Sequence, residues 1–346
     1  MVGDLREYEG MGITGLTNVF TRRAMPKPMR KSYTDAVTCL QKLPPQVMTT
    51  EQSLLYPGVK SRFDEYLATH INYTLQIHFT ADFLAWHRFY IHSYEQDLKK
   101  CGYTGNLPYW NWPTDALVPE KSSLFNGDAN SLGSNGAYIP GRESVYLANQ
   151  DVTAPPGTGG GCIYKGPFSD TSVNLGPVDT ANVTGVLGPY DYNPHCIVRD
   201  LNGWFSSRFN TWKNVTELIL ESEDIATFQG VMQADSTYVP AGSFGVHGGG
   251  HFTAGATGTL SDFYSSPGDP LFYLHHAMID RVWTIWQFLD LPDRRDAISG
   301  TSTILNLPPS AEMTLDDMIP FGLVAPDQRL GDLMSTTAGP FCYHYL

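Results

Sequence analysis

Two stretches of this chain, roughly residues 30–110 and 200–290, place apolar residues at helical spacing, and the stretch between them does not. In the first, Ser61 is a candidate N-cap with Asp64 three residues on. Phe63, Tyr66, Leu67 and His70 then share one helix face. Thr80 is a candidate cap for a second helix ending at Lys99-Lys100 ahead of Gly102, with Leu84, His87, Ile91, Tyr94 and Leu98 along its apolar side. In the second stretch, Asp269-Pro270 reads as an N-cap followed by proline at the first helical position. The helix after it stops before Pro292 and carries an inward stripe of Leu271, Leu274, His275, Met278, Val282, Ile285 and Leu289. Residues 121–195 are rich in Gly, Pro, Ser and Asn, including the run from Ala154 to Gly161, and read as long surface loop. The expected fold is mainly α, a four-helix bundle core with long loops and few short strands.

The polar residues that interrupt these apolar faces are histidines. Six of the ten fall into two groups: His70, His78 and His87, then His247, His251 and His275. A lone histidine on an apolar face is usually a hydrogen-bonded core residue. Six at helical spacing among aromatics point instead to metal, because imidazole is the commonest metal ligand. His78 lies nine residues before His87, about two and a half turns, so one helix would put them on opposite sides and His78 must come from the preceding loop. His247 and His251 are four apart and stack on one face. His275 belongs to the inward stripe, and His276 is rotated about 100° away. His276 therefore has two roles open, at the mouth of the site or as a structural histidine. No ligand role falls to His92, His195 or His344.

Neither group contains Cys, Asp or Glu, so each is an all-neutral nitrogen site, and two of them in one chain suggest a binuclear centre. Zinc proteolysis needs Glu directly after the first histidine of the pair, where Gly248 stands. Gly248, Gly249 and Gly250 each cost roughly 1 kcal/mol against Ala inside a helix. They mark either a helix with an opened face over the metal or a loop from which only His251 starts a helix. One histidine group lies on each side of the 121–195 stretch. Residues 1–346 therefore read as one domain with a Gly/Pro-rich insertion at about 121–195.

Composition narrows the partners. Hydrophobic residues make up 42% of the 346 and charged ones 16%, enough for a sizeable core. The formal charge of −13 and the lack of a basic patch argue against nucleic acid. No apolar run is long enough for a membrane span. Five cysteines without zinc-type spacing allow two disulfides and one leftover thiol in an oxidising compartment. Sequons at Asn72, Asn182 and Asn214 add modest support for export and possible N-glycans. A secreted protein whose signal was removed is the expectation. A cytosolic chain with buried thiols is the alternative.

Several motifs resemble the type-3 copper family of tyrosinases, catechol oxidases and haemocyanins. They are Phe83-Leu84-Ala85-Trp86-His87-Arg88 with Tyr94-Glu95, Leu107-Pro108-Tyr109-Trp110-Asn111-Trp112, Asp269 through His276 with Asp280-Arg281, and Tyr343-His344-Tyr345. The match spans nearly the whole chain. The resemblance implies that His70, His78 and His87 hold one copper ion (CuA) and His247, His251 and His275 the other (CuB). Neutral nitrogens stabilise Cu(I), three ligands leave a position open, and the pair delivers two electrons to dioxygen. The resemblance also implies that Arg22 partners the closing tyrosine motif. It makes Phe263 the aromatic overhanging CuB, with Phe252, Gly248 and His276 shaping the substrate mouth. Asp280 becomes an acceptor for a ligand imidazole N–H.

The chain departs from the family pattern in three ways. No cysteine lies between Cys39 and Cys101, so the thioether that many members attach to the second CuA histidine should be absent. Monophenol hydroxylation is associated with a basic water held by a Glu and an Asn after the first CuB histidine. Gly248 occupies the second of these places, and Gln233 or Asp235 are weak candidates for the first. No lid domain is expected after Tyr345, as in the short secreted fungal catechol oxidase-like group. The expected function is oxidation of small phenols, o-diphenols with o-aminophenols as an extension, to quinones, with dioxygen reduced to water. A tyrosinase, a haemocyanin-like oxygen binder and, distantly, a zinc hydrolase are the other readings.

Overall fold

A computed structural model describes residues 17–179 and 187–346. Its principal helices are α1 (Lys27–Lys42), α2 (Arg62–Tyr73), α3 (Phe83–Lys100), α4 (Gly203–Phe209), α5 (Trp212–Glu221), α6 (Ile225–Gln233), α7 (Gly245–Thr253) and α8 (Leu271–Leu289). The core is therefore helical, with α2, α3, α7 and α8 carrying the histidines, and the strands are short pairs around it. Among the described residues no helix is long and apolar enough to cross a membrane.

Local chemistry explains where these helices start. Ser61 closes a full capping box with Asp64 at the head of α2, as expected. Thr80 does not cap α3. Its hydroxyl donates to Asp82 Oδ1 at 2.7 Å, and the helix begins at Phe83 without a side-chain cap. Asp269 does serve α8, accepting the Leu271 N–H at 2.9 Å while its two oxygens take Nε and Nη2 of the buried Arg199 at 2.7 and 2.6 Å. The inward stripe holds from Leu271 to Val282 and then runs out. Ile285 is half-buried and Leu289 is 54% exposed, because the last turn emerges from the bundle.

The insertion is folded onto this core. It forms antiparallel strand pairs, Gly136–Tyr138 with Gly160–Ile163, Val145–Leu147 with Val152–Ala154, and Ser172–Val173 with His195–Cys196. Leu132, Ile163, Phe168, Val173 and Leu175 pack into the main core, so the segment is no linker. Two disulfides, Cys39–Cys101 and Cys162–Cys196, leave Cys342 free, the pairing count the sequence allowed. Of the sequons, Asn72 is exposed on α2, and Asn214 spends its side-chain oxygen in the capping box of α5. Asn182 lies outside the described residues.

A buried ion pair joins α3 to α8. Arg88 Nε donates to Asp280 Oδ1, Arg88 Nη1 donates to the Met334 carbonyl at 2.8 Å, and the guanidinium lies 3.7 Å from the Trp283 ring centre. The other Asp280 oxygen accepts the hydroxyls of Tyr343 (2.6 Å) and Tyr345. Asp280 thus does not orient a ligand imidazole, contrary to expectation. The strand Tyr343–Tyr345 pairs in parallel with Thr17–Val19, and its period of two puts both tyrosines on the Asp280 side. Arg22 is not their partner either. It donates to the carbonyls of Arg30 and Asn130, both at 2.9 Å, and lies over Tyr33.

Removing Asp280 would strand a buried guanidinium and two phenols. Asp280→Ala is expected to lower the unfolding free energy by about 3–5 kcal/mol, against about 1 kcal/mol for Tyr343→Phe. Denaturant titration of the two variants tests this.

Candidate metal centre

His70 lies in the last turn of α2, His78 in the loop before α3, and His87 in the first turns of α3. Their ligating atoms lie within 4.8 Å of one another, as the sequence grouping required. Each ring is fixed through Nδ1 by a backbone carbonyl: His70 by Tyr264 (2.7 Å), His78 by Thr74 (2.9 Å) and His87 by Phe83 (2.8 Å). A carbonyl only accepts, so Nδ1 carries the proton and the Nε2 lone pair faces inward. His251 on α7 is fixed the same way by the Leu260 carbonyl at 2.8 Å, and its Nε2 is 3.1 Å from that of His247. Nε2 of His70 and His87 is buried with no partner. Orphaned lone pairs in a dry core are costly, and a bound cation removes the cost.

The second group contains four histidines, because His276 joins His247, His251 and His275. His276 is buried, with its ring parallel to His87 (4.3 Å between centres, 12°) and 4.2 Å from Phe272. It therefore does not line an exposed mouth. α8 passes between the two groups, so two neighbouring positions about 100° apart both face the site. His275 turns toward α7 and Trp112, whose Nε1–H donates to His275 Nδ1 at 3.1 Å. Both ring nitrogens of His276 are without a partner.

Gly248–Gly250 are helical, which resolves the alternative left by the sequence. A Cβ on Gly250 would overlap the His275 ring, and one on Gly249 would lie 2.5 Å from Phe209 Cβ. A Cβ on Gly248 meets only Phe244, at 3.4 Å. Two of the three glycines thus permit close packing, and at the third a methyl group would make ordinary contact with Phe244. His247 and His251 are the most exposed histidines of the site, at 7% and 8%, so the approach to it runs past α7.

Phe263 does not overhang the second group. Its ring lies 4.8 Å from that of His78, over the first. Phe252 turns away from the site into a separate aromatic cluster with Phe205 and Phe244, at 5.3 and 4.9 Å, on the other side of α7. Gln233 is buried, and its side-chain oxygen accepts the Phe79 N–H at 2.7 Å. It ties down the loop carrying His78, where the backbone at Phe79 is left-handed (φ 53°). Asp235 spends Oδ1 on the Thr237 N–H at 2.8 Å.

Sequence reasoning missed Trp112, Gln233 and the Tyr264 carbonyl as supports of the site. Trp112 stands in a quoted motif, but its contact with His275 spans 163 positions. Nothing local marks the other two.

A match to the common central domain of tyrosinase covers residues 60–289. The chain is 40% identical to tyrosinase P of Aspergillus terreus over 326 residues, 91% of this chain and 88% of that protein. The chain belongs to the tyrosinase family. It is also 37% identical to the N-acetyl-6-hydroxytryptophan oxidase of Emericella nidulans over 327 residues, 90% and 87% of the two chains. A point variant of the polyphenol oxidase of Thermothelomyces thermophila superposes with a TM-score of 0.86 at 37% identity, covering 99% of this chain and 92% of that one. Haemocyanin of Rapana thomasiana, at 18% identity and a TM-score of 0.52, shares the fold. A tyrosinase-family protein implies a binuclear copper site, and the donors fit one. They are two groups of neutral imidazoles with inward lone pairs and no carboxylate among them.

Burial pushes all seven imidazoles toward the neutral form, His78 to about 3 and His251 to about 4. Below the unfolded value of 6.5 the unfolded chain binds protons that the folded one refuses. The copper-free protein should therefore lose stability as pH falls from 6.5 toward 4, by up to about 1.4 kcal/mol per pH unit for each such histidine. Asp82, raised by burial to about 7, and Asp64 and Asp179, also raised by burial, pull the other way, but three carboxyls are outweighed by seven imidazoles. Urea titrations at pH 7 and 5 measure the slope. At fixed pH, Gly250→Ala should lose copper from the second group, whereas Gly248→Ala should keep it and gain about 1 kcal/mol in helix stability.

Proposed function

We propose that this tyrosinase-family protein is a binuclear copper oxidase of o-diphenols, extending to o-aminophenols. The observation carrying this reading is what stands beside the first histidine of the second group. Gly248, directly after His247, has no side chain that could hold a water, and the candidate for a base-holding residue, Gln233, is committed to the Phe79 backbone. A catechol needs no oxygen atom inserted. It gives up two electrons and two protons and leaves as an o-quinone, and two catechols reduce one dioxygen to two waters. When bound, the copper pair supplies the two-electron exchange between phenol and dioxygen.

The protein's part is to hold neutral nitrogens still and to keep the core dry. His70, His78 and His87 hold the first copper in this reading, and His247, His251 and His276 the second. This replaces His275 of the sequence expectation. The indole N–H of Trp112 occupies the His275 Nδ1 lone pair and leaves the proton on Nε2. His276 instead stands 5.2 Å from the His247 ring and 5.4 Å from that of His251, spacings like the 5.1–5.9 Å of the first group. Phe263, over His78, offers a face for a phenol ring. Two disulfides fit an oxidising compartment and support the reading of a secreted protein.

The similarity to tyrosinase P keeps monophenol hydroxylation as the second reading. Oxygen uptake on matched mono- and diphenols, with copper quantified in the same sample, separates the two. Two coppers per chain with uptake on catechol alone is the expected result. Uptake on tyramine or tyrosine would transfer the assignment to a tyrosinase, and uptake on neither would end the oxidase reading. His276→Ala should bring copper down toward one per chain, and His275→Ala should leave two.

A further inference from the structure

The loop before α8 supports the first histidine group at two consecutive residues. Phe263 covers His78 with its ring, and Tyr264 fixes His70 with its carbonyl. The buried Asp262 carboxylate holds this loop to the long insertion. One of its oxygens accepts the N–H groups of Tyr264 and Ser265 at 3.0 and 2.7 Å. The other accepts those of Val178 and Asp179 at 2.7 and 2.9 Å. The insertion answers with one bond, from the Phe263 N–H to Asp179 Oδ2 at 2.7 Å. Two carboxylates thus clasp each other's backbone.

They do not do the same work. Asp262 holds the segment that orients His70, so its loss would damage the metal site itself. Asp179 touches only the backbone of the residue whose ring lies on His78. A hydrogen bond to a carboxylate is short and roughly twice as strong as one between neutral groups. It therefore sets where Phe263 stands without being needed for copper.

We propose that Asp179 is a specificity-setting positioning residue that fixes how far Phe263 covers His78 and so which phenols reach the site. This rests on the oxidase reading given above. With the clasp closed, the Phe263 face lies beside a small ring. With it released, the face is free to swing from His78, so unsubstituted catechol loses its platform and catechols with bulky ring substituents gain room.

Amide exchange at Phe263 and steady-state kinetics of Asp179→Ala, Asp179→Asn, Phe263→Ala and the double variant Asp179→Ala with Phe263→Ala test this, with copper content measured throughout. Expected for Asp179→Ala are faster exchange and two coppers. Its KM for catechol should rise about tenfold with little change in kcat, the loss of one charge-assisted bond. The ratio of kcat/KM for a 4-tert-butylcatechol over catechol should rise. Asp179→Asn, which keeps an acceptor oxygen, should recover most of the wild-type KM. The double variant should match Phe263→Ala, since Asp179 acts only through that ring. Additive effects, or exchange unchanged in Asp179→Ala, would overturn the proposal. Wild-type protein that leaves catechol untouched would remove the oxidase reading, and the specificity claim with it. The exchange data would still decide whether Asp179 holds Phe263.

Discussion

Everything in this fold answers to one constraint: seven imidazoles share a core from which water is excluded, and of their ring nitrogens only those of His247 and His251 meet at hydrogen-bond distance. Burial keeps them neutral, so each has one N–H and one lone pair to place. The structure spends main-chain carbonyls on the N–H of His70, His78, His87 and His251. That leaves lone pairs aimed at a common space, a deficit that only a cation or a proton donor can fill. Copper suits such a deficit because neutral nitrogen ligands do not oppose its reduced state. The carbonyls come from α2's connection, α3's own turn and the loop between α7 and α8. Orienting the rings therefore requires the whole bundle.

The bundle's register is set nearby by the only buried ion pair that ties α3 to α8 among the described residues. Arg88 follows His87 directly, and Asp280 lies one turn beyond His276 on the same face of α8. Locking Arg88 to Asp280 fixes how α3 slides along α8, and the parallel contact between the His87 and His276 rings follows from that alignment. A buried pair contributes little net stability once desolvation is counted. Its use here is to select one register out of several, and Tyr343 and Tyr345 fill the remaining carboxylate valence so that the selection costs no orphaned group.

The sequence made visible what repeats locally. Helical period placed His70, His87, His247 and His251 on inward faces and forced His78 into a loop. The structure agrees because those faces are set by residues within a turn of each histidine. Where a contact spans the fold, the reading failed in partner or place. Asp280 was marked as important but given an imidazole instead of Arg88, and Arg22 was given the tyrosines instead of two carbonyls. Phe263 was assigned to the wrong metal, since nothing in Asp262-Phe263-Tyr264-Ser265 tells which histidine lies beneath it. His276 was left between the substrate mouth and a structural role, because a rotation of about 100° turns a residue away from a single neighbour. α8 has two, so His276 also faces the histidine groups.

The glycine run shows how far a single residue type can mislead. The three glycines read either as one opening over the metal or as a loop ahead of His251. Gly249 and Gly250 are instead compression points, one admitting α4 against α7 and the other seating the His275 ring on bare backbone. Only Gly248 is under no such pressure, since a Cβ there would make ordinary contact with Phe244. Packing therefore accounts for two of these residues completely, whatever the reaction. At Gly248 packing demands nothing, so a side chain is sterically admissible there and its absence is free to serve chemistry. The reaction should accordingly be sought at the His247 and His251 edge of the site and at the aromatic face of Phe263 over His78. The glycine helix as a whole holds the metal-binding rings in place.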